Sequence, residues 1–178
     1  MSKKINRRGF LKALPFLPQA TLEEIKDLKE EKKSVIRPPY SIEESDWSLC
    51  YECDGACVKS CEEEILFRGK DGSPYLSFSG KGCTFCKRCA EECGFGVLSV
   101  EYPEKINVNV SINKKRCLAW NGTMCFSCKE PCLDNAIKFE GLFNPEVLQD
   151  LCTGCGFCLS VCPTNAITVN PVEGGNVS

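Results

Sequence analysis

The residues of this chain best suited to chemistry are its cysteines. The 178 residues include sixteen cysteines and no histidine. Thiolates are soft ligands, so clustered cysteines indicate a metal site. The cysteines form two regular and two irregular motifs: Cys83-x2-Cys86-x2-Cys89-x3-Cys93, Cys152-x2-Cys155-x2-Cys158-x3-Cys162, Cys50-x2-Cys53-x3-Cys57-x3-Cys61 and Cys117-x7-Cys125-x2-Cys128-x3-Cys132.

The regular motifs have the spacing that wraps [4Fe–4S] clusters in bacterial proteins. Three thiolates two residues apart in a loop can each take a different iron of a cubane, and a fourth ligand comes from elsewhere in the chain. Pro163 follows the last motif, as in that pattern. The sequence therefore predicts four [4Fe–4S] clusters, with all sixteen cysteines as iron ligands.

A crossed ligand pattern uses every cysteine once. In two-cluster ferredoxins the fourth cysteine of each run ligates the other cluster. Within each half of this chain, that rule predicts the following sets: Cys50, Cys53 and Cys57 with Cys93; Cys83, Cys86 and Cys89 with Cys61; Cys117, Cys125 and Cys128 with Cys162; Cys152, Cys155 and Cys158 with Cys132.

Other uses of the cysteines fit the spacing less well. Disulfides are disfavoured because few pairs separated by two or three residues reach good bridge geometry. Zinc typically takes two separated pairs, so a third thiol two residues further on has no role. The lack of histidine excludes a Rieske centre.

An internal repeat indicates how the chain positions these motifs. A shift of about seventy residues superimposes the second half on the first, with an irregular motif followed by a regular one in each half. We predict an α+β fold of two tandem two-cluster ferredoxin-like domains, rich in cysteine loops and short antiparallel strands, after a partly helical or flexible segment. The predicted boundaries are 1–46, 47–107 and 108–178.

Short strands are predicted between and after the motifs. Glu64–Phe67 and Tyr75–Phe78 flank a Lys70–Pro74 turn, which is a hairpin signal. Ala136–Phe139 occupies the equivalent place in the second half, and alternation in Ile106–Ile112 indicates another strand. Little apolar sequence remains for a core, so each half is expected to depend on its clusters for stability.

The first residues pose a question of targeting. Asn6–Lys12 contains Arg7-Arg8 and looks like a twin-arginine export motif. The apolar run that follows is interrupted by Pro15 and Pro18 and then meets the acidic pair Glu23-Glu24, unlike an export signal. We therefore expect a cytoplasmic protein, with periplasmic export as the alternative. No stretch approaches the ~20 apolar residues of a membrane span.

The order and spacing of the four motifs from Trp47 to Val169 resemble the NapF family, ferredoxin-type accessory proteins of periplasmic nitrate reductase systems. The Cys117-x7-Cys125 spacing and the stretches Lys81–Cys86 and Leu151–Gly156 carry this resemblance. It implies a cytoplasmic protein that binds the nitrate reductase catalytic subunit before export and helps it mature, through electron supply or cofactor loading. A redox donor protein is a further expected partner.

The same motifs also suit a second function. Four clusters in tandem can serve an electron-transfer subunit of a membrane-associated or periplasmic oxidoreductase. The sequence offers no nucleophile–base pair and no nucleotide loop, so no catalytic residue and no enzymatic activity are predicted. The formal net charge is −2, and anionic clusters would add to it, so nucleic acid is not an expected partner.

Overall fold

The computed structural model describes residues 35–42 and 44–172. The twin-arginine-like motif and residues 1–34 of the predicted N-terminal segment lie outside these residues, so the structure does not bear on the predictions made for them.

Short helices and strands alternate with cysteine loops along the described chain. In chain order the elements are a 3-10 helix Trp47–Cys50, α1 (Ala56–Lys59), β1 (Leu66–Arg68), β2 (Pro74–Leu76), α2 (Arg88–Glu91), β3 (Val108–Ile112), a 3-10 helix Ala119–Asn121, β4 (Ile137–Glu140), β5 (Phe143–Val147), α3 (Phe157–Ser160) and β6 (Ile167–Pro171). The helices α1, α2 and α3 have four residues each. Such short elements cannot build a layered core, so the loops carry much of the architecture.

The strands form three antiparallel pairs, β1–β2, β4–β5 and β3–β6. The first pair confirms the predicted hairpin, with Phe67 opposite Tyr75. The strand predicted from the alternation around Val108 is β3, and it pairs with β6 near the end of the described chain, where Val110 lies opposite Val169. This pair closes the second half, because it joins residues on both sides of the Cys117–Cys162 region.

The internal repeat is visible in the backbone hydrogen bonds. Ser77 N–H donates to Ile65 O at 2.9 Å in the first half, and Leu148 N–H donates to Ala136 O at 2.7 Å in the second. Both bonds join the two sides of the hairpin that lies between the irregular and the regular motif. The two halves therefore share a local fold as well as a motif order.

Residues 36–40, which the sequence analysis placed in the N-terminal segment, pack against the first half. Leu76 N–H donates to Ile36 O, and Ser99 N–H donates to Tyr40 O. The Tyr40 ring is 1% exposed, and its hydroxyl donates to Phe85 O at 2.8 Å. These residues supply an extended flank that motif spacing did not predict.

The core is small and includes cysteines. Its buried apolar residues include Leu98, Ile106 and Val110, and they lie beside the buried thiols of Cys57 and Cys89. Among the described residues, no helix is long and apolar enough to cross a bilayer.

The two halves meet through their regular motifs. Cys83 N–H donates to Cys155 O at 2.7 Å, and Ile106 N–H donates to Thr153 O at 2.9 Å. Gly82 allows this approach, because a Cβ there would lie 2.8 Å from Cys155 O and from Phe157 N. A side chain at position 82 would therefore force the two motifs apart.

We predict that Gly82→Ala destabilises the chain by about 1–3 kcal/mol, the usual cost of overpacking a tight contact. Gly94→Ala is the matched control, because a Cβ at Gly94 meets no atom within 4 Å. Thermal unfolding of anaerobically purified protein measures both variants. Equal unfolding midpoints for the two variants would contradict the close contact at Gly82.

Candidate metal centres

The sixteen cysteines line four cavities, with four cysteines in each. We call these groups sets A to D. Set A is Cys50, Cys53, Cys57 and Cys93; set B is Cys61, Cys83, Cys86 and Cys89; set C is Cys117, Cys125, Cys128 and Cys162; set D is Cys132, Cys152, Cys155 and Cys158. The cavities are similar in size, with 310 to 390 Å³ of space not occupied by atoms.

This grouping is the one that the crossed pattern predicts. Cys93 lies in set A, away from the other cysteines of its own motif, and Cys61 lies in set B. The second half repeats the exchange with Cys162 and Cys132. The crossing follows from the fold, because each half folds back so that the end of one motif reaches the loop of the other.

Short helices position the third cysteine of three motifs. Cys57, Cys89 and Cys158 lie on α1, α2 and α3 respectively. The residue before each helix, namely Gly55, Lys87 or Gly156, has a positive φ. This left-handed residue reverses the chain between the extended cysteine loop and the helix.

Backbone N–H groups donate hydrogen bonds to several of the cysteine sulfurs. Leu98 N–H lies 3.3 Å from Cys93 Sγ, Ala136 N–H lies 3.3 Å from Cys132 Sγ, and Ala166 N–H lies 3.2 Å from Cys162 Sγ. These three sulfurs are the ones that cross from their own motifs into sets A, D and C. Hydrogen bonds to sulfur favour a thiolate and tune the potential of an iron–sulfur centre.

Burial changes the proton affinity of the thiols. Desolvation raises the pKa of Cys57 to about 11, and it raises the pKa of Cys89 and of Cys158 to about 12, with neighbouring thiols adding to each shift. At Cys162 burial acts in the same upward direction, but backbone hydrogen bonds from Ala166 and Thr164 outweigh it and lower the pKa. Most of these thiols therefore hold their protons at neutral pH until a metal displaces them.

The donor chemistry of each cavity fits an iron–sulfur cluster. Four cysteines line each cavity, and soft thiolates suit iron–sulfur clusters. Within the described ranges 35–42 and 44–172, no group of three or more Cys, Asp or Glu side chains is arranged to hold a single metal ion.

Sets B and D adjoin each other across the two halves. The hydrogen bond from Cys83 N–H to Cys155 O joins the backbone of one set directly to that of the other. In the first half α1, which carries Cys57 of set A, contacts α2, which carries Cys89 of set B, and the Cys57 thiol raises the pKa of Cys89. In the second half the Cys128 thiol of set C raises the pKa of Cys158 in set D. The four sets therefore lie in the spatial order A, B, D, C. Along the chain, in contrast, irregular and regular motifs alternate.

Two side chains that sequence reasoning missed anchor the irregular loops. The Arg68 guanidinium donates to Cys50 O at 3.0 Å and to Tyr51 O at 3.3 Å. The Asn121 amide donates to Cys117 O at 2.7 Å and to Lys114 O at 3.0 Å. Arg68 lies outside the motifs and Asn121 lies among the variable residues between Cys117 and Cys125, so only the unusual loop lengths indicated that extra anchors were needed.

Comparison with known proteins finds similarity to iron–sulfur proteins. A family profile described as "4Fe-4S binding domain" matches residues 145–168, which contain the last regular motif. The "Ferredoxin-type protein NapF" of Escherichia coli K12 is 37% identical over 138 residues, covering 75% of this chain and 83% of that protein. The protein of the same name from Haemophilus influenzae is 33% identical over 180 residues, covering 96% of this chain and 97% of the relative.

The chain belongs to the NapF family. It is an iron–sulfur protein of the ferredoxin type, with short helices and antiparallel strands around [4Fe–4S]-binding cysteine motifs. The similarity extends to "Ferredoxin-type protein NapG" of Escherichia coli K12, which is 31% identical over 165 residues, covering 78% of this chain and 71% of the relative. The resemblance to the NapF family that the motif spacing indicated is confirmed.

We predict that Cys93→Ser damages the centre of set A more than that of set B, although Cys93 belongs to the regular motif of set B. Cys93 lines the set A cavity together with Cys50 and Cys57, and its loss would remove one of four ligands there. Electron paramagnetic resonance of the reduced protein, compared with Cys86→Ser as the set B control, measures the effect. Identical spectral losses in the two variants would contradict the crossing.

We also predict that stripping the iron unfolds much of the described chain. Four of the cysteines, namely Cys50, Cys57, Cys89 and Cys128, are buried and belong to the apolar core. Without metal these cavities lose the bonds that hold their walls together, and small metal-organised domains commonly unfold in that case. Circular dichroism and protease resistance before and after chelation measure this. A metal-free chain that unfolds as cooperatively as the loaded one would refute it.

Proposed function

We propose that the sixteen cysteines hold four [4Fe–4S] clusters, one in each of sets A to D. The observation that carries this proposal is the grouping of all sixteen thiols around four cavities of similar size, four to each. When bound, such clusters supply one-electron redox chemistry. The chain provides the thiolates, the N–H groups that face the crossing sulfurs, and the loops that limit access of water to the sites.

The two halves are proposed to be tandem two-cluster ferredoxin-like domains, with boundaries near 47–107 and 108–178. The matching bonds from Ser77 and Leu148 in the two hairpins support this division. The residues around Tyr40 add a flank to the first domain. The Cys83–Cys155 contact joins the domains through sets B and D.

Membership of the NapF family extends the proposal to a biological role. The chain acts as an accessory factor that binds the catalytic subunit of periplasmic nitrate reductase in the cytoplasm before its export. It assists maturation of that subunit by supplying electrons or by supporting cofactor loading. It turns over no substrate of its own, and a redox donor protein supplies its electrons.

An anaerobic pull-down from the cytoplasmic fraction tests this role, with the full chain as bait. We predict that the unexported nitrate reductase catalytic subunit is recovered with the bait. The control is a bait with serine in place of Cys50, Cys53 and Cys57, which tells whether an intact set A is required. Failure of the wild-type bait to recover the subunit would contradict the accessory role but leave the cluster assignment standing.

The spatial order A, B, D, C favours one second candidate function. A continuous series of redox sites can also serve an electron-transfer subunit of a membrane-associated or periplasmic oxidoreductase. The N-terminus of the mature protein separates the two functions. Processing near Ala20 together with recovery from the periplasm would support the electron-transfer subunit, whereas an unprocessed cytoplasmic chain would support the accessory factor.

A further inference from the structure

Arg68 occupies an unusual place beside the set A loop. It ends β1, and its guanidinium reaches back across the hairpin to the irregular motif. Its Nη2 donates to the backbone oxygens of Cys50, Tyr51 and Cys53, and its Nε donates to Gly72 O at 3.1 Å. One side chain therefore bonds the turn of the hairpin to three carbonyl groups of a single cysteine loop.

The same side chain lies against the residue that makes this motif irregular. Three residues separate Cys53 from Cys57 where the regular motifs have two, and Gly55 takes up the extra length with φ of +76°. A Cβ at Gly55 would lie 3.6 Å from Arg68 Cδ. Gly55 N–H in turn donates to Cys53 Sγ at 3.3 Å. The bulge at Gly55 therefore lies against the Arg68 side chain, and it directs the Gly55 N–H at the sulfur of Cys53.

The second half anchors its irregular loop with other side chains, and Arg116 Nη2 beside Cys117 donates to Thr164 O at 2.8 Å. The internal repeat places Phe139 where the first half has Arg68, and Phe139 packs on the ring of Phe126 at a centroid distance of 4.8 Å. The anchoring bonds come instead from Asn121, inside the longer Cys117–Cys125 loop, to Cys117 O and two preceding carbonyls. In set C, therefore, the carbonyls of the irregular loop are bonded by an amide, whereas in set A they are bonded by the guanidinium of Arg68.

A fixed positive charge favours the more negative state of a neighbouring redox centre, and net charge is one of the factors that set iron–sulfur potentials. We propose that Arg68 is a positioning residue that holds the Cys50–Cys57 loop in its ligating conformation and raises the reduction potential of the set A cluster. This inference rests on the proposed presence of a cluster in set A.

The test compares two substitutions that separate charge from hydrogen-bonding shape. Arg68→Gln keeps a planar amide donor and loses the charge, as in Asn121, whereas Arg68→Lys keeps the charge and loses the planar fork. Lys70→Met is the matched control, because it removes one positive charge from the same hairpin without touching the contacts of Arg68. The full chain is purified anaerobically and titrated with dithionite, and spectra are recorded by electron paramagnetic resonance. The component that disappears in Cys53→Ser identifies set A.

We expect Arg68→Gln to shift the set A midpoint to a lower potential and to leave the other components in place. Arg68→Lys and Lys70→Met are expected to stay near the wild-type midpoint. Because Arg68 is solvent-exposed, the shift is expected to shrink as ionic strength rises. A wild-type midpoint in Arg68→Gln, or equal shifts in Arg68→Gln and Arg68→Lys, would overturn the inference.

The iron and sulfide content of each purified variant distinguishes failure of the inference about Arg68 from failure of the proposed function. If the Arg68→Gln protein loses the set A cluster, its set A midpoint cannot be measured, and the Arg68→Lys variant then tests the inference. A retained cluster at the wild-type midpoint in Arg68→Lys supports the inference, and loss in both variants overturns its charge component. If the spectrum of Cys53→Ser lacks no component of the wild-type spectrum, the wild-type chain holds no cluster in set A. That result overturns the proposal of four clusters and this inference together. A chain with four clusters that fails to bind the catalytic subunit contradicts only the accessory role.

Discussion

The exchange of one cysteine between neighbouring motifs is the constraint on which the rest of this structure depends. Each cavity takes three thiols from one loop and a fourth from the end of the other motif in the same half. Neither site of a pair can be complete unless the whole half has folded. The short helices and two-stranded sheets bring the motif ends together, and they bury too little apolar surface to be expected to persist alone.

The two halves hold their irregular cysteine loops in place with different side chains. In the first half a short irregular loop takes its anchor from β1 through Arg68, whereas in the second a longer loop contains its own anchor in Asn121. The regular motifs meet each other at Gly82 and Cys155, and the Tyr40 hydroxyl bonds the first of them at Phe85 O. The regular motifs therefore adjoin each other, whereas the irregular loops carry exposed side chains such as those of Tyr51 and Met124.

Sequence alone could predict what depends on local spacing. The cysteine intervals gave the expected grouping of thiols, alternation around Val110 predicted β3, and the Lys70–Pro74 turn predicted the first hairpin. The sequence alone could not predict contacts between residues far apart in the chain. Examples are the packing of Tyr40 beneath Phe85 and the reach of Arg68 to the Cys50 loop, because neither residue type nor neighbouring pattern encodes the partner. Gly82 looked like an ordinary loop glycine until the second half was placed beside it.

The central claim is that this chain holds four [4Fe–4S] clusters, and its intact mass tests that claim most directly. Native mass spectrometry of the anaerobically purified full chain gives the mass of everything bound without assuming any ligand assignment. We expect the mass of the polypeptide plus four [4Fe–4S] clusters, falling by one whole cluster at a time on mild oxidation. A fully loaded species that carries fewer clusters, or zinc ions in their place, would contradict the account.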